Sequence, residues 1–202
     1  RGGQSLGAGG SGSTFLQLAS APATSDGGLI PYAVGSSGGA SGVVTYDAVN
    51  GIRLLTPPEY TTTLIGANSS SNLWAVTNLV NAGDLTVRSL NLGDKVASLV
   101  GGGNLTLTSG LILYPGTQAK TVDNAITFGS WEGFIAVPEK SSGSLSFLRP
   151  LTGTGGLTIS GRGQVSLAGG NQVSGPLVLN GSVRMLLTDS SQLSPDTGPI
   201  GI

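Results

Sequence analysis

Apolar residues in this chain come in short alternating runs that return at a nearly constant distance. Between Gly153 and Leu187 that distance is 20 residues: Leu157 maps onto Leu177, Ile159 onto Leu179, Gly161 onto Gly181, Val165 onto Met185 and Leu167 onto Leu187. Upstream, Leu85-Thr86-Val87 maps onto Leu105-Thr106-Leu107 at the same offset, and Leu90 and Leu92 map onto Leu111 and Leu113 at 21, a slip that a loop absorbs. Ile126 and Phe128 fall about one repeat further on, and Leu145 and Phe147 lie 20 residues before Val165 and Leu167. A strand that alternates apolar and polar residues has one face to bury. A unit of 20 residues cannot bury that face alone, so the pattern predicts stacked turns, a parallel β-solenoid with rungs of roughly 20 residues.

The rest of the chain reads as short strands between turn residues. Leu29-Ile30-Pro31-Tyr32-Ala33-Val34 is a strand that its proline demotes toward an edge. Val43 to Tyr46 and Ile52 to Leu55 flank the turn dipeptide Asn50-Gly51. Pro57-Pro58 is a rigid break, and Leu73-Trp74-Ala75-Val76 opens the region where the period is clear. Windows with the helical spacing i, i+3, i+4, i+7 are interrupted by Gly or Pro, so little or no α-helix is expected. Residues 1–202 read as a single elongated solenoid module belonging to a longer repeat protein, with a Gly/Ser-rich, loop-like opening over 1–13 and the clearest repeat over 153–187. If the whole length coils, it makes about ten rungs.

Composition supports a packed but nearly uncharged body. Hydrophobic residues make up 38% and charged residues 9%, which excludes the disordered class. A net charge of −1 offers no footprint for nucleic acid. His and Cys are both absent, which removes disulfides, thiol chemistry, His-based triads and thiolate or imidazole metal sites. No apolar run approaches the roughly 20 residues of a membrane-spanning helix, so this segment is not expected to insert in a membrane.

The stretch Gly153-Thr-Gly-Gly-Leu157-Thr-Ile-Ser-Gly161-Arg-Gly163-Gln-Val165-Ser-Leu167-Ala-Gly169-Gly-Asn171-Gln-Val173 continues into Gly175-Pro-Leu177-Val-Leu179-Asn-Gly181-Ser-Val183-Arg-Met185. It resembles the autotransporter-associated β-strand repeat of bacterial surface proteins. The resemblance departs at Val173, where that family usually carries an aromatic. Ile30 to Val34, Val44 to Tyr46 and Asn50 to Thr56 followed by Glu59-Tyr60 are similar to the segment between repeats in very large members. The resemblance implies an exported protein placed on or outside a bacterial cell. With the usual crossover preference it also implies a right-handed parallel β-helix. It supplies no catalytic residues.

The residues offer little chemistry of their own. No two of the ten acids lie within five positions of each other, and a stacked row would have to come from Asp84, Asp94, Asn104 and Asp123 at loose offsets. No catalytic, metal or cofactor-binding residue is assigned, and no cofactor is expected. Trp131-Glu132-Gly133-Phe134 places two aromatics beside an acid, a candidate platform for glycan contact through Trp131, Glu132 and Phe134. The reading is therefore a non-enzymatic extracellular module of a bacterial surface fibre, stalk or adhesin. Its expected partners are further repeats or copies of itself end to end, and extracellular polysaccharide. A carbohydrate-binding adhesin or a carbohydrate-active β-helix is the alternative.

Overall fold

Alternation becomes a stack along one inward row. Leu73 pairs with Leu90, Leu90 with Ile112, Ile112 with Ile135, Ile135 with Ile159 and Ile159 with Leu179, always in parallel, so successive rungs here are 17, 22, 23, 24 and 20 residues long. Leu73, Leu90, Ile112, Ile135 and Ile159 are fully buried, while Leu179 in the last turn is half-buried. Each fully buried side chain of this size contributes roughly 1.5–3 kcal/mol.

The structure is a computed structural model that describes residues 16, 18–22, 24, 28–37, 39–93, 98–138, 143–193 and 197–201. The Gly/Ser-rich opening over 1–13 lies outside the described residues. Three strands come first: β1 (Leu29–Ser37), β2 (Ala40–Asp47) and β3 (Gly51–Leu54). They form an antiparallel meander in that order, with Asn50-Gly51 at the second turn and Pro31 in the edge strand β1, where the register shifts between Leu29 and Val34. A single 3-10 turn, Pro57–Glu59, leads into β4 (Tyr60–Thr61).

The solenoid then makes about six turns, three strands to each complete one. The first two are β5 (Asn72–Ala75), β6 (Leu79–Val80) and β7 (Leu85–Val87), then β8 (Ser89–Leu92), β9 (Leu99–Val100) and β10 (Asn104–Leu107). The next two are β11 (Leu111–Leu113), β12 (Lys120–Val122) and β13 (Ala125–Thr127), then β14 (Gly133–Val137), β15 (Ser144–Phe147) and β16 (Leu151–Gly153). The last are β17 (Leu157–Gly161), β18 (Gln164–Ser166) and β19 (Gln172–Val173), then β20 (Gly175–Gly181) and β21 (Arg184–Leu186), after which β22 (Thr197–Gly201) returns to pair with β20. Like faces of successive turns join into three parallel sheets of eight, six and five strands around one core. Among the described residues helix is confined to two short 3-10 turns.

The repeat of the last rungs has the register its sequence predicts: Leu157 pairs with Leu177, Ile159 with Leu179, Gly161 with Gly181 and Val165 with Met185. Leu85-Thr86-Val87 likewise pairs with Leu105-Thr106-Leu107. Two expectations change. The ten rungs become about six, because residues 29–54 form the antiparallel meander and the middle rungs are longer than 20 residues. Leu90 pairs with Ile112, an offset of 22 in place of 21. Since side chains alternate across a strand, that single residue turns Ile112 and Tyr114 into the core and leaves Leu111 and Leu113 facing outward.

The two ends of the stack differ. Leu64 and Ala67, in the loop between β4 and β5, pack against the core at its N-terminal end, where Arg88 N–H donates to Ser71 O at 2.8 Å. At the C-terminal end a second 3-10 turn, Ser190–Gln192, stands where a strand would complete the five-stranded sheet, and Asn171 Nδ2 donates to Gln192 O. Beside it Leu179, Val183 and Met185 remain half-buried, and Leu186 and Ile200 are exposed.

Candidate functional site

Outward leucines need a cover, and the meander supplies it. Leu111 and Leu113 of β11 and Phe134 and Ala136 of β14 are buried under Leu29 and Val43, with Val34, Leu55 and Tyr60 at the margin. This second core lies on the outside of the eight-stranded sheet, at its middle rungs. Polar contacts fix the meander in place. Val43 N–H donates to Tyr60 Oη at 3.3 Å, and the Tyr60 ring packs 5.3 Å from that of Trp74. Burial pushes the Tyr60 phenol up.

Arg53 of β3 ties the meander to the 3-10 turn below it. Its guanidinium holds Glu59 through two bonds of 2.6 and 2.8 Å and reaches Asp47 at 2.8 Å. The Arg53 hydrogen bonds bring Glu59 down from 4.5 to about 2, helped by the Thr56 amide and hydroxyl. Asp47 falls from 3.8 to about 2, through Arg53 first and then the Asn50 amide. A carboxylate whose pKa is depressed on folding stabilises the fold above its unfolded value and loses that contribution as pH falls through its folded value. Stability should therefore drop between about pH 4.5 and pH 2, and Glu59→Gln should flatten that part of the profile in denaturation midpoints followed by tryptophan fluorescence.

A groove of about 160 Å³ opens at the seam between meander and rungs, lined by Pro31 and Tyr32 of β1 and by Ser109, Trp131, Glu132 and Phe134 of the solenoid. The structure brings the three sequence-named residues together but gives them different environments. Trp131 is 48% exposed and Glu132 is exposed, whereas Phe134 is 9% exposed and belongs to the second core, where it forms the groove floor. The Glu132 carboxylate accepts a hydrogen bond from Thr158 Oγ1. Ser109 Oγ is satisfied within the fold, donating to Arg88 O at 2.7 Å. Tyr32, 52% exposed, is the groove residue that sequence reading missed. The signal lay in Leu111-Ile112-Leu113 and Phe134-Ile135-Ala136-Val137, unbroken apolar runs that require cover on both faces.

The turn that carries Trp131 is clamped between glycines of the rungs on either side. A Cβ at Gly110, whose φ is +71°, would stand 2.0 Å from Glu132 O, and one at Gly155 would stand 2.4 Å from Trp131 C. Backbone approach this close is available only to residues without a side chain.

The described members of the loose acid row have partners or places of their own in the fold. Asp123 is held by Arg149 Nε at 2.9 Å, Asn104 pairs with Ala125 and bonds the Thr127 hydroxyl at 3.0 Å, and Asp94 lies outside the described residues. Among the described residues no three acids gather where they could hold a metal ion.

Fold and groove together define a parallel β-solenoid that carries an antiparallel meander on its flank. No protein-family model matches the chain. It is similar to the adhesin BmaC autotransporter of Brucella suis biovar 1 (strain 1330), with 34% identity over 122 residues, which is 58% of this chain and 4% of that protein. The chain thus spans a small fraction of that relative's length. No solved structure matches.

Proposed function

We propose that this chain is a non-enzymatic structural module of a bacterial surface adhesin, a rigid stretch of a longer stack of β-rungs held outside the cell. The observation that carries the reading is the stack itself: each rung pairs in parallel with the next around one apolar core, and both ends keep half-buried apolar side chains, Leu64 and Ala67 at one and Leu179, Val183 and Met185 at the other, beside the outer edges of β6 and β7 and of β21. Unpaired strand edges over an apolar core are what a further rung, or the end of another copy, would cover. Similarity to an autotransporter adhesin supports surface placement and an adhesive role. The Arg53 and Arg149 ion pairs support a structural use of Asp47, Glu59 and Asp123 in place of catalysis.

Display of the chain on a non-adherent bacterium tests the reading. Attachment of the cells to host surfaces or matrix should rise over the undecorated strain; unchanged attachment would overturn the adhesin role. The open ends make their own prediction. Copies should associate end to end, and apolar contacts make that association nearly insensitive to salt. Sedimentation at low and high salt reads this directly. A monomer that persists at high concentration would remove end-on association from the reading.

A further inference from the structure

The groove at the seam has features that a simple spacer does not need. Two large aromatic rings, Tyr32 and Trp131, stand about half-exposed on opposite structural units, one on the meander and one on the rungs. The Trp131 turn is fixed by its close approaches to Gly110 and Gly155, so the ring is presented on a backbone that has little freedom left to lose on binding. Glu132 beside it is oriented by the Thr158 hydroxyl through one carboxylate oxygen, and no bond from a described residue reaches the other. Among the described residues that line the groove, Glu132 is the charged one.

We propose that Tyr32, Trp131 and Glu132 form a binding groove for a neutral, pyranose-containing glycan, a deduction that rests on the adhesin reading and names the ligand class for it. Aromatic faces offer large apolar area at low entropic cost, suited to the C–H face of a sugar ring, while a carboxylate accepts from sugar hydroxyls. Charge selects further. An acidic sugar, a phosphate or a sulfate would face Glu132 with no cation among the described lining residues to offset it. Phe134 supplies the floor and stays part of the fold.

The test is an array of neutral and acidic oligosaccharides, with choline included, probed by the whole chain and by the variants Trp131→Ala, Tyr32→Ala and Trp131→Phe. Binding to neutral glycans is expected, falling at least about tenfold in each alanine variant and largely retained with phenylalanine at 131. Thermal midpoints should stay close to the parent, because both rings are half-exposed. Preference for acidic glycans or choline, an alanine variant that binds like the parent, or no neutral glycan bound at all would each overturn the site. The displayed chain separates this from the broader reading. If Trp131→Ala cells attach as well as the parent, the groove falls and the adhesin role stands; if the purified chain binds glycan but displayed chain confers no attachment, the adhesin role falls and the groove stands.

Discussion

Ile159→Asp should unfold the solenoid. Ile159 is fully buried and sits between Ile135 and Leu179 in the inward row of the eight-stranded sheet. Replacing it forfeits roughly 1.5–3 kcal/mol of apolar burial. The new carboxylate would then lie among leucines and isoleucines with no cation in that row, which adds the cost of an unpaired buried charge or of protonating it. A loss above about 4 kcal/mol is expected, a large fraction of the stability of an ordinary domain. Because each rung templates its neighbours, the damage should spread to both adjoining turns. Arg162→Gln, at an exposed corner a few residues away, should stay within about 0.5 kcal/mol. Denaturant midpoints for the two variants check the contrast, and similar midpoints would mean that the 159 side chain does not face the core.

How far the sequence foretells this fold depends on which face of a strand is covered, and by what. Where only the inward face is apolar, as in Leu157-Thr158-Ile159 and Leu85-Thr86-Val87, alternation writes the register into the chain and the 20-residue period is legible. The loops of the middle rungs are longer, and a period search loses count there. Leu111-Ile112-Leu113 offers two apolar sets one residue apart, and pattern alone selects the wrong one. What decides it is the meander, a tertiary partner that covers Leu111 and Leu113 from outside. The groove was legible in the same partial way. Trp131, Glu132 and Phe134 are neighbours in sequence and stood out together, but Tyr32 joins them only because the meander folds back over the rungs. Residues 29–34 showed a strand and its edge-favouring proline, with nothing to say that the strand would pair antiparallel and dock on β11 and β14.

Glycines, by contrast, carried information that apolar residues could not. Gly161 and Gly181 are paired across adjacent rungs, and both have positive φ, +127° and +88°. A Cβ at Gly161 would lie 2.1 Å from Val137 O, the carbonyl that accepts axial hydrogen bonds from Arg162 N–H at 2.9 Å and Gly163 N–H at 3.2 Å. Gly161→Ala therefore costs twice. The backbone is held in a region that a side chain disfavours by roughly 1–2 kcal/mol, and the carbonyl joining two rungs must move, an overpacking cost of roughly 1–3 kcal/mol. The expected loss is about 3 kcal/mol. Gly181→Ala shares the φ penalty, but its Cβ would meet Gly161 O at 2.6 Å in the last turn, at an exposed position with more room to shift, so the loss should be about half as large. Denaturation midpoints give the ranking, and hydrogen exchange gives the cause: in Gly161→Ala the amides of Arg162 and Gly163 should lose protection ahead of the core strands. Equal losses in the two variants, with those amides still protected, would show that local backbone strain alone sets the cost and that the contact with Val137 O does not matter.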